Sequence, residues 1–571
     1  MPSLNGMNML NITSRRASLL VTLALSTLVS CAPKDFRPQV AQKVVIKQGG
    51  AVTLQVSVER DEGLKGPVTV SLRNLPEGVT GSTTTLAETQ TSGQIALKAT
   101  ASAPLKQAAS AAPAAEGAAT AVDGQPAVVF SADGKTHELP LAFAVQALSG
   151  SSDKTFGSGG VMQMKLGVFL KRDHANALAA TADEKILVGG QKDERFAVYR
   201  LNRNGTVDKG FGKEGLAVGT GAKGTVYKLL VLPDGGVIAV GSDQYESAGL
   251  VLAKFTKDGK LDTTFGKGGV VNYAVNGLEY HGLRDAAVQS DGKVVAVGSA
   301  GTEMGGSGGL TNGKSLVVRF NPDGSVDRTF GSGGRIVGGI QEYGSANDVE
   351  LGDADTLLVV GTAYTQYGDW ETRNPNIFYL ARYLSDGSPD TSFGNNGFVT
   401  FSARDEDTDV YGTGVSLLPD GKMLTIANVT RMDMNTFDSM NQIRVAQYLP
   451  DGARDTEFGE EGAVTYDFGH SAYGIDLAAT KDGFVLTATV QPEKSAESAP
   501  SLVKLSKAGL VDESFNFDGR VGIGTLDDPL NPVVLNSGQI VAGTSLSPFF
   551  QDYDDNDDAA KVNVELVRIN P

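Results

Sequence analysis

One pattern, Asp-x-x-Phe, returns seven times and limits what this chain can fold into. The phenylalanines are Phe156, Phe211, Phe265, Phe330, Phe393, Phe458 and Phe515. Each stands three positions after an aspartate: Asp153, Asp208, Asp262, Asp327, Asp390, Asp455 and Asp512. Glycine follows the phenylalanine in every unit but the last, which has Asn516. Successive phenylalanines are 54 to 65 residues apart. At such a period each repeat is one supersecondary unit that buries its apolar surface only against a neighbour. A short run follows each Phe-Gly, as in "GLAVGTG", and an apolar hairpin comes next, as in "YKLLVLPDGGVIAVG" and "RDAAVQSDGKVVAVG". The Asp-Gly inside it is a dipeptide that tight hairpin turns prefer. A further strand ("LVLAKFT", "SLVVRFN", "IFYLARYL") closes the unit. Counting the run after Phe-Gly as strand one gives four strands in each of seven units. That predicts an all-β chain with a seven-bladed β-propeller over residues 149–571. On this count "VELVRINP" is the last fourth strand, and the opening "SDKTFGSGG" supplies the turn after it.

The stretches "FNPDGSVDRTFG" and "YLSDGSPDTSFG" closely resemble "LNxDGSLDTSFG", the signature of the delta-60 repeat propeller family. The resemblance spans residues 150 to 571, about three quarters of the chain. It implies the propeller fold and an extracytoplasmic setting. The activity of that family is poorly defined, so no catalytic residues come with it.

Residues 36–148 read as a separate small β-domain. "AVTLQVSV", "VTVSL", "GQIALKATA" and "ELPLAFAV" each alternate apolar with polar residues, as half-buried strands do. The region resembles the Ig-like β-sandwiches of bacterial surface proteins. Its Ala/Pro-rich stretch, residues 107–121, has too little apolar bulk for a core and reads as an insertion in a loop or as a linker.

Ahead of it, Arg15 and Arg16 precede thirteen mostly apolar residues, Ala17 to Val29. Thirteen residues are too few to span a bilayer, so residues 1–30 read as an export signal. "LVSC" resembles a bacterial lipobox, which implies cleavage before Cys31, lipidation of that cysteine and a short tether over 31–35. Cys31 is the only cysteine, which excludes an intramolecular disulfide. Ala32 follows it, favouring an outer-membrane or surface location over the inner membrane. The net charge of −17 argues against a nucleic-acid partner.

Several site motifs fail on their own chemistry. "FTKDGKLDTTFGKGG" has the glycines and lysine of a phosphate cradle, but six residues separate Gly259 from Gly266, and no Ser or Thr follows Lys267. Calcium loops of integrin-type propellers share the Asp-Gly-x-x-Asp spacing, yet need an oxygen ligand four residues before the central Asp. Those positions hold Arg200, Lys254, Arg319, Arg382, Gln447 and Lys504, and a cation there repels a metal. The basic residue and the repeat aspartate are expected instead to lock adjacent blades, with the phenylalanine filling the space between. No cofactor is expected. Asp552, Asp554 and Asp557 in an acidic loop are weak metal candidates.

Variable loops remain. "YTQYGDWETRNPN", "RMDMNTFDSMNQ" and "SPFFQDYDDNDDAAK" join the third and fourth strands of their units by this count. They carry Tyr364, Tyr367, Trp370, Met432, Phe437 and Tyr553, a candidate binding face. The leading expectation is a monomeric, lipid-anchored, non-enzymatic protein of the cell envelope that binds a protein or glycan there. The alternatives are a propeller enzyme (hydrolase, lyase or quinone-dependent dehydrogenase) working at the central channel, and a structural envelope component without a discrete ligand. The polar residues expected on channel-lining first strands are Lys165, Asn272, Arg335, Asp467 and Arg520.

Overall fold

The computed structural model describes residues 36–41, 43–61, 64, 66–100, 103–105, 124–165, 173–243, 249–278, 280–302, 312–364, 375–403, 408–432, 439–491, 493, 497–516, 518–526, 528–545 and 564–571. They form two units that divide between Ser149 and Gly150.

In the first unit, alternation becomes one core shared by two four-stranded sheets and a two-stranded one. Strands Phe36–Val40, Ala51–Arg60, Ser92–Ala99 and Val79–Gly81 make one sheet. Thr84–Leu86, Val68–Arg73, Ala127–Ala132 and Lys135–Pro140 make the other. Leu54, Val56 and Val58 are buried on one face of their strand, while Gln55 between them is exposed. They share a single core with Val68, Val70, Ile95, Leu97 and Phe130, so side chains from both sheets interdigitate. "ELPLAFAV" is not one strand as its alternation suggests. Proline has no N–H to give a ladder, and the first strand ends at Pro140. Leu141 then donates its N–H to the Pro126 carbonyl at 2.8 Å. Ala142–Gln146 goes on to pair in parallel with Lys43–Lys47.

The second unit contains seven successive antiparallel sheets. Sheet one runs His174–Ala180, Ile186–Lys192, Arg195–Leu201, Leu216–Lys223. Sheets two to six repeat this order, beginning at Thr225–Val231, Tyr280–Val288, Tyr343–Leu351, Thr408–Leu417 and Ser471–Ala479. The strand phase differs by one from the count made on sequence. The run after Phe-Gly is the fourth, outermost strand of the sheet before it: Val270–Tyr273 pairs with Leu250–Phe255, not with the apolar strand that follows it. The connection between them, residues 256–269, is longer than the one to the next sheet, 274–279, but its own hydrogen bonds fold it back: the Asp262 N–H donates to the Lys254 carbonyl and the Lys254 N–H to the Gly269 carbonyl. "VELVRINP" therefore supplies a third strand, Val564–Ile569. Its outer partner is Val161–Met164, from the start of the unit. Sheet seven is thus assembled from both ends of the unit.

Each first strand contacts the first strand of the next sheet. Val533–Val534, in sheet seven, contacts both Ser471–Ala479 and His174–Ala180, and the circuit closes. The cores lie between neighbouring sheets. Leu187, Phe196 and Val198 of sheet one pack with Val226, Val237 and Ala239 of sheet two, and the other sheets pack in the same way.

Candidate functional site

The repeated turns form one end of the circuit. In the first of them Asp208 accepts hydrogen bonds from Arg200 Nε at 2.7 Å and Lys185 Nζ at 2.9 Å. Arg200 also donates to the Lys257 carbonyl, in the next unit's turn, at 2.6 Å. Its guanidinium carbon lies 4.4 Å from the centroid of the Phe211 ring. The Gly212 N–H donates to the Asp258 carbonyl, so the Asp-Gly of one unit docks on the Phe-Gly of the unit before. A Cβ on Gly259, which has φ +77°, would stand 2.5 Å from the Gly212 nitrogen, so the approach requires glycine.

Arg319 with Asp327 and Phe330, and Arg382 with Asp390 and Phe393, repeat this arrangement. Their guanidiniums donate to the carbonyls of Ser385 and Pro450. Arg568 with Asp153 and Phe156 does so across the chain ends. Lys254 and Lys504 take the arginine's place beside Asp262 and Asp512, nearest to the rings of Phe265 and Phe515. In the remaining unit the basic position is Gln447, and Asp455 pairs instead with Lys422 at 2.7 Å. Phe458 is buried there like the other six. Five of the six positions that a calcium loop needs as oxygen donors therefore point ammonium or guanidinium groups at the repeat carboxylates. Among the described residues no group of three or more His, Cys, Asp or Glu is placed to hold a metal ion.

Of the candidate binding face, Tyr364 is described: it ends its strand half-buried, stacked on Tyr343 with ring centroids 5.9 Å apart. Met432 closes the strand Met423–Met432. Tyr367, Trp370, Phe437 and Tyr553 lie outside the described residues, as do Asp552, Asp554, Asp557 and Cys31. The loops that carry these residues join second strands to third, one step earlier than the sequence count, because the strand phase moves by one.

The same shift takes Lys165, Asn272, Arg335, Asp467 and Arg520 off the axis. They lie on outermost strands or directly after them. A different set converges there. Six first strands carry a bulge at the same place, at Asn176, Tyr227, Arg284, Asn347, Thr413 and Ile475. The residues just after it are Ala177, Lys228, Asp285, Asp348, Gly414 and Asp476. First strands are sheet edges, so N–H groups on their free side have no ladder partner, and two of the carboxylates accept such groups across sheets. Asp285 accepts from the Val349 N–H at 3.1 Å and Asp348 from the Val415 N–H at 2.6 Å, each in the next sheet. Lys228 Nζ meets Asp285 Oδ1 at 2.6 Å, with 28% of the lysine side chain still exposed, so water reaches this depth. A Cβ on Gly414 would stand 3.5 Å from Asp476 Oδ1 and 3.7 Å from Asp348 Oδ2, so those two carboxylates flank the glycine.

The acids outnumber the base. Burial, then the charge and hydrogen bond of Asp285, push the Asp348 carboxyl well above the usual range. Burial raises Asp476 to about 6 and Glu350 to about 7, although Lys228 opposes both shifts. Burial disfavours the charge on Lys228, but the fields of Asp285, Asp348 and Asp476 overcome it and keep the ammonium protonated. The cluster is a set of inter-sheet ties and, chemically, a reservoir of protons. Its sequence signal is an acid inside an otherwise apolar strand ("RDAAV", "NDVEL", "IDLAA"). With the strand phase one step off, that signal pointed to a hairpin arm and not to the axis.

A family model described as "Domain of unknown function (DUF5122) beta-propeller" matches residues 181–211, 232–265, 289–330 and 355–393. No curated protein matches the chain. Each matched stretch begins in or at the turn between first and second strands and ends on the repeat phenylalanine, so it follows the structural unit described above. The second unit carries β-propeller repeats.

Proposed function

We propose that the chain is a lipid-anchored envelope protein in which a seven-bladed propeller of delta-60 type, joined to an Ig-like sandwich, binds a protein or glycan through one end of the propeller. The carrying observation is the contrast between the two ends. Connections from first to second strand have five residues in six sheets and three in the other. Connections from second to third strand, at the opposite end, run from two residues (Asp193 and Glu194) to eighteen (546–563). Uniform turns serve the scaffold, and here they are tied to one another. Connections of unequal length on a rigid frame are where recognition usually resides.

Two experiments test the two halves of this reading. Metabolic labelling with a radioactive fatty acid should mark the wild-type chain and not Cys31→Ala, and the variant should leave the membrane fraction. A variant that stayed in the membrane fraction would remove the anchor from the proposal. For binding, the purified chain is applied to a glycan array and to envelope extracts, beside a variant whose residues 365–374 are replaced by two residues. Binding that is equal in both chains would move the site away from this end.

The axial carboxyls favour a second reading, an enzyme of the hydrolase or lyase type. Acids raised to about 6 and about 7 are poised for proton transfer near neutrality. Turnover of a polysaccharide or ester that is lost in Asp476→Asn, with pH limbs near those values, would select it over the binding reading.

A further inference from the structure

Beyond Gln447, the fifth sheet departs from the other six at two further positions, and these departures meet in space. Arg444 occupies the third-strand position held elsewhere by Ala197, Val251, Leu316, Tyr379, Ser501 and Glu565. Arg454 immediately precedes the repeat aspartate, where other units have Ser152, Val207, Leu261, Val326, Pro389 and Val511. Neither position holds a cation in any other unit. Both guanidiniums lie on one ring, that of Phe401 in the outermost strand of sheet four, at 4.3 Å and 5.6 Å from its centroid.

Two like charges on one ring repel, and a folded chain normally answers them with a carboxylate. Here the nearest in sequence, Asp455, is committed to Lys422 at 2.7 Å. Among the described residues neither guanidinium forms an ion pair. The Tyr448 side chain bonds Arg454, while half-buried Arg444 lies against the Phe401 ring. A guanidinium that is partly stripped of water and set beside another presents its forked N–H donors to an oxyanion at little further desolvation cost. Burial and the Arg454 charge both weigh against the Arg444 charge, which is the strain that a bound anion would relieve.

We propose that Arg444 and Arg454, gathered on Phe401 between sheets four and five, form a binding site for an oxyanion of the phosphate or sulfate class. The test is thermal melting of the purified chain in anion-poor buffer, titrated with sodium sulfate or sodium phosphate against sodium chloride at matched ionic strength. The wild type should show a saturable rise of at least about 2 °C, as binding to the native state alone requires. Arg444→Gln and Arg454→Gln should each keep only the non-saturating salt effect. Whichever anion saturates at the lower concentration identifies the ester the site takes. Without anion, Arg444→Leu, which restores the residue type of sheet three, should melt above the wild type.

Equal responses in wild type and both glutamine variants would overturn the proposal. So would an Arg444→Leu chain that melts lower, since the guanidinium would then be a structural stack on Phe401. Asp405, Glu406 and Asp407 lie outside the described residues. A response seen only after they are changed to Asn, Gln and Asn would assign the arginines to the chain's own acids, which also overturns the proposal.

Discussion

At Asp327 the carboxylate is nearly sealed from water, with Arg319 Nε at 2.9 Å and the Thr329 hydroxyl at 2.6 Å. Burial works against its charge, but the bonds from Thr329 and the field of Arg319 hold it below the usual carboxylate range. Removing one partner of a buried pair strands the other, at a cost of about 3–5 kcal/mol. Asp327→Ala is therefore expected to lower stability by about 3 kcal/mol. Asp262→Ala, whose partner Lys254 is more exposed, should cost about 1 kcal/mol or less. Denaturant unfolding followed by circular dichroism separates the two, and equal losses would count against this account. The buried phenylalanines outweigh both, since truncating one in a packed core costs about 3–5 kcal/mol; Phe330→Ala is the variant to compare. At this scale much was legible. The basic residue stands eight positions before its aspartate in five of the seven units, and the spacing can be read directly. The exchange in the fifth sheet was not, because Lys422 reaches Asp455 from a turn 33 positions away. Only the pairing of strands brings those two together.

Strand alternation told where the strands are and not which neighbours they choose. An apolar run and the short run after Phe-Gly look alike whether the second opens a sheet or closes the one before. Length does not decide it, since the shorter connection leads to the next sheet; the Asp-x-x-Phe turn returns the chain beside the strand it left through its own hydrogen bonds, as from the Lys254 N–H to the Gly269 carbonyl. One step of phase moved the axis from Asp285, Asp348 and Asp476 to residues on the outer edge. The same phase makes a prediction about sheet seven. Replacing Val161–Met164 with Gly-Ser-Gly-Ser should leave Val564–Ile569 without its outer partner. Hydrogen exchange should then quicken at those C-terminal amides first, and the cooperative melt should broaden. Exchange that stays slow there would mean that the strand is dispensable.

For the molecule as a whole, the axial acids and the turn acids pull in opposite directions with pH. Asp476 and Glu350 have folded-state values of about 6 and about 7, above those of an unfolded chain. Their contribution is full below about pH 4 and is lost as pH rises through those values. Asp153, held at about 2 by bonds from Thr155, Gln539 and Arg568 despite its burial, contributes above about pH 4 and loses this as pH falls towards 2. Stability should therefore peak between about pH 4 and 6 and decline towards pH 8. Asp476→Asn or Glu350→Gln should flatten the decline; a melting temperature that rose steadily to pH 8 in the wild type would contradict the axial assignment. The closure of the circuit has a temporal side as well. Gln163 donates to Glu565, 402 positions later, so the strand that completes the last sheet is among the first to be made. In a chain synthesised from its N-terminus that strand must wait, unpaired, until residues 564–569 have been made. Until Val564–Ile569 joins it, the second unit is an open arc with an adhesive edge at each end, and its protection against self-association depends on whatever holds those edges apart.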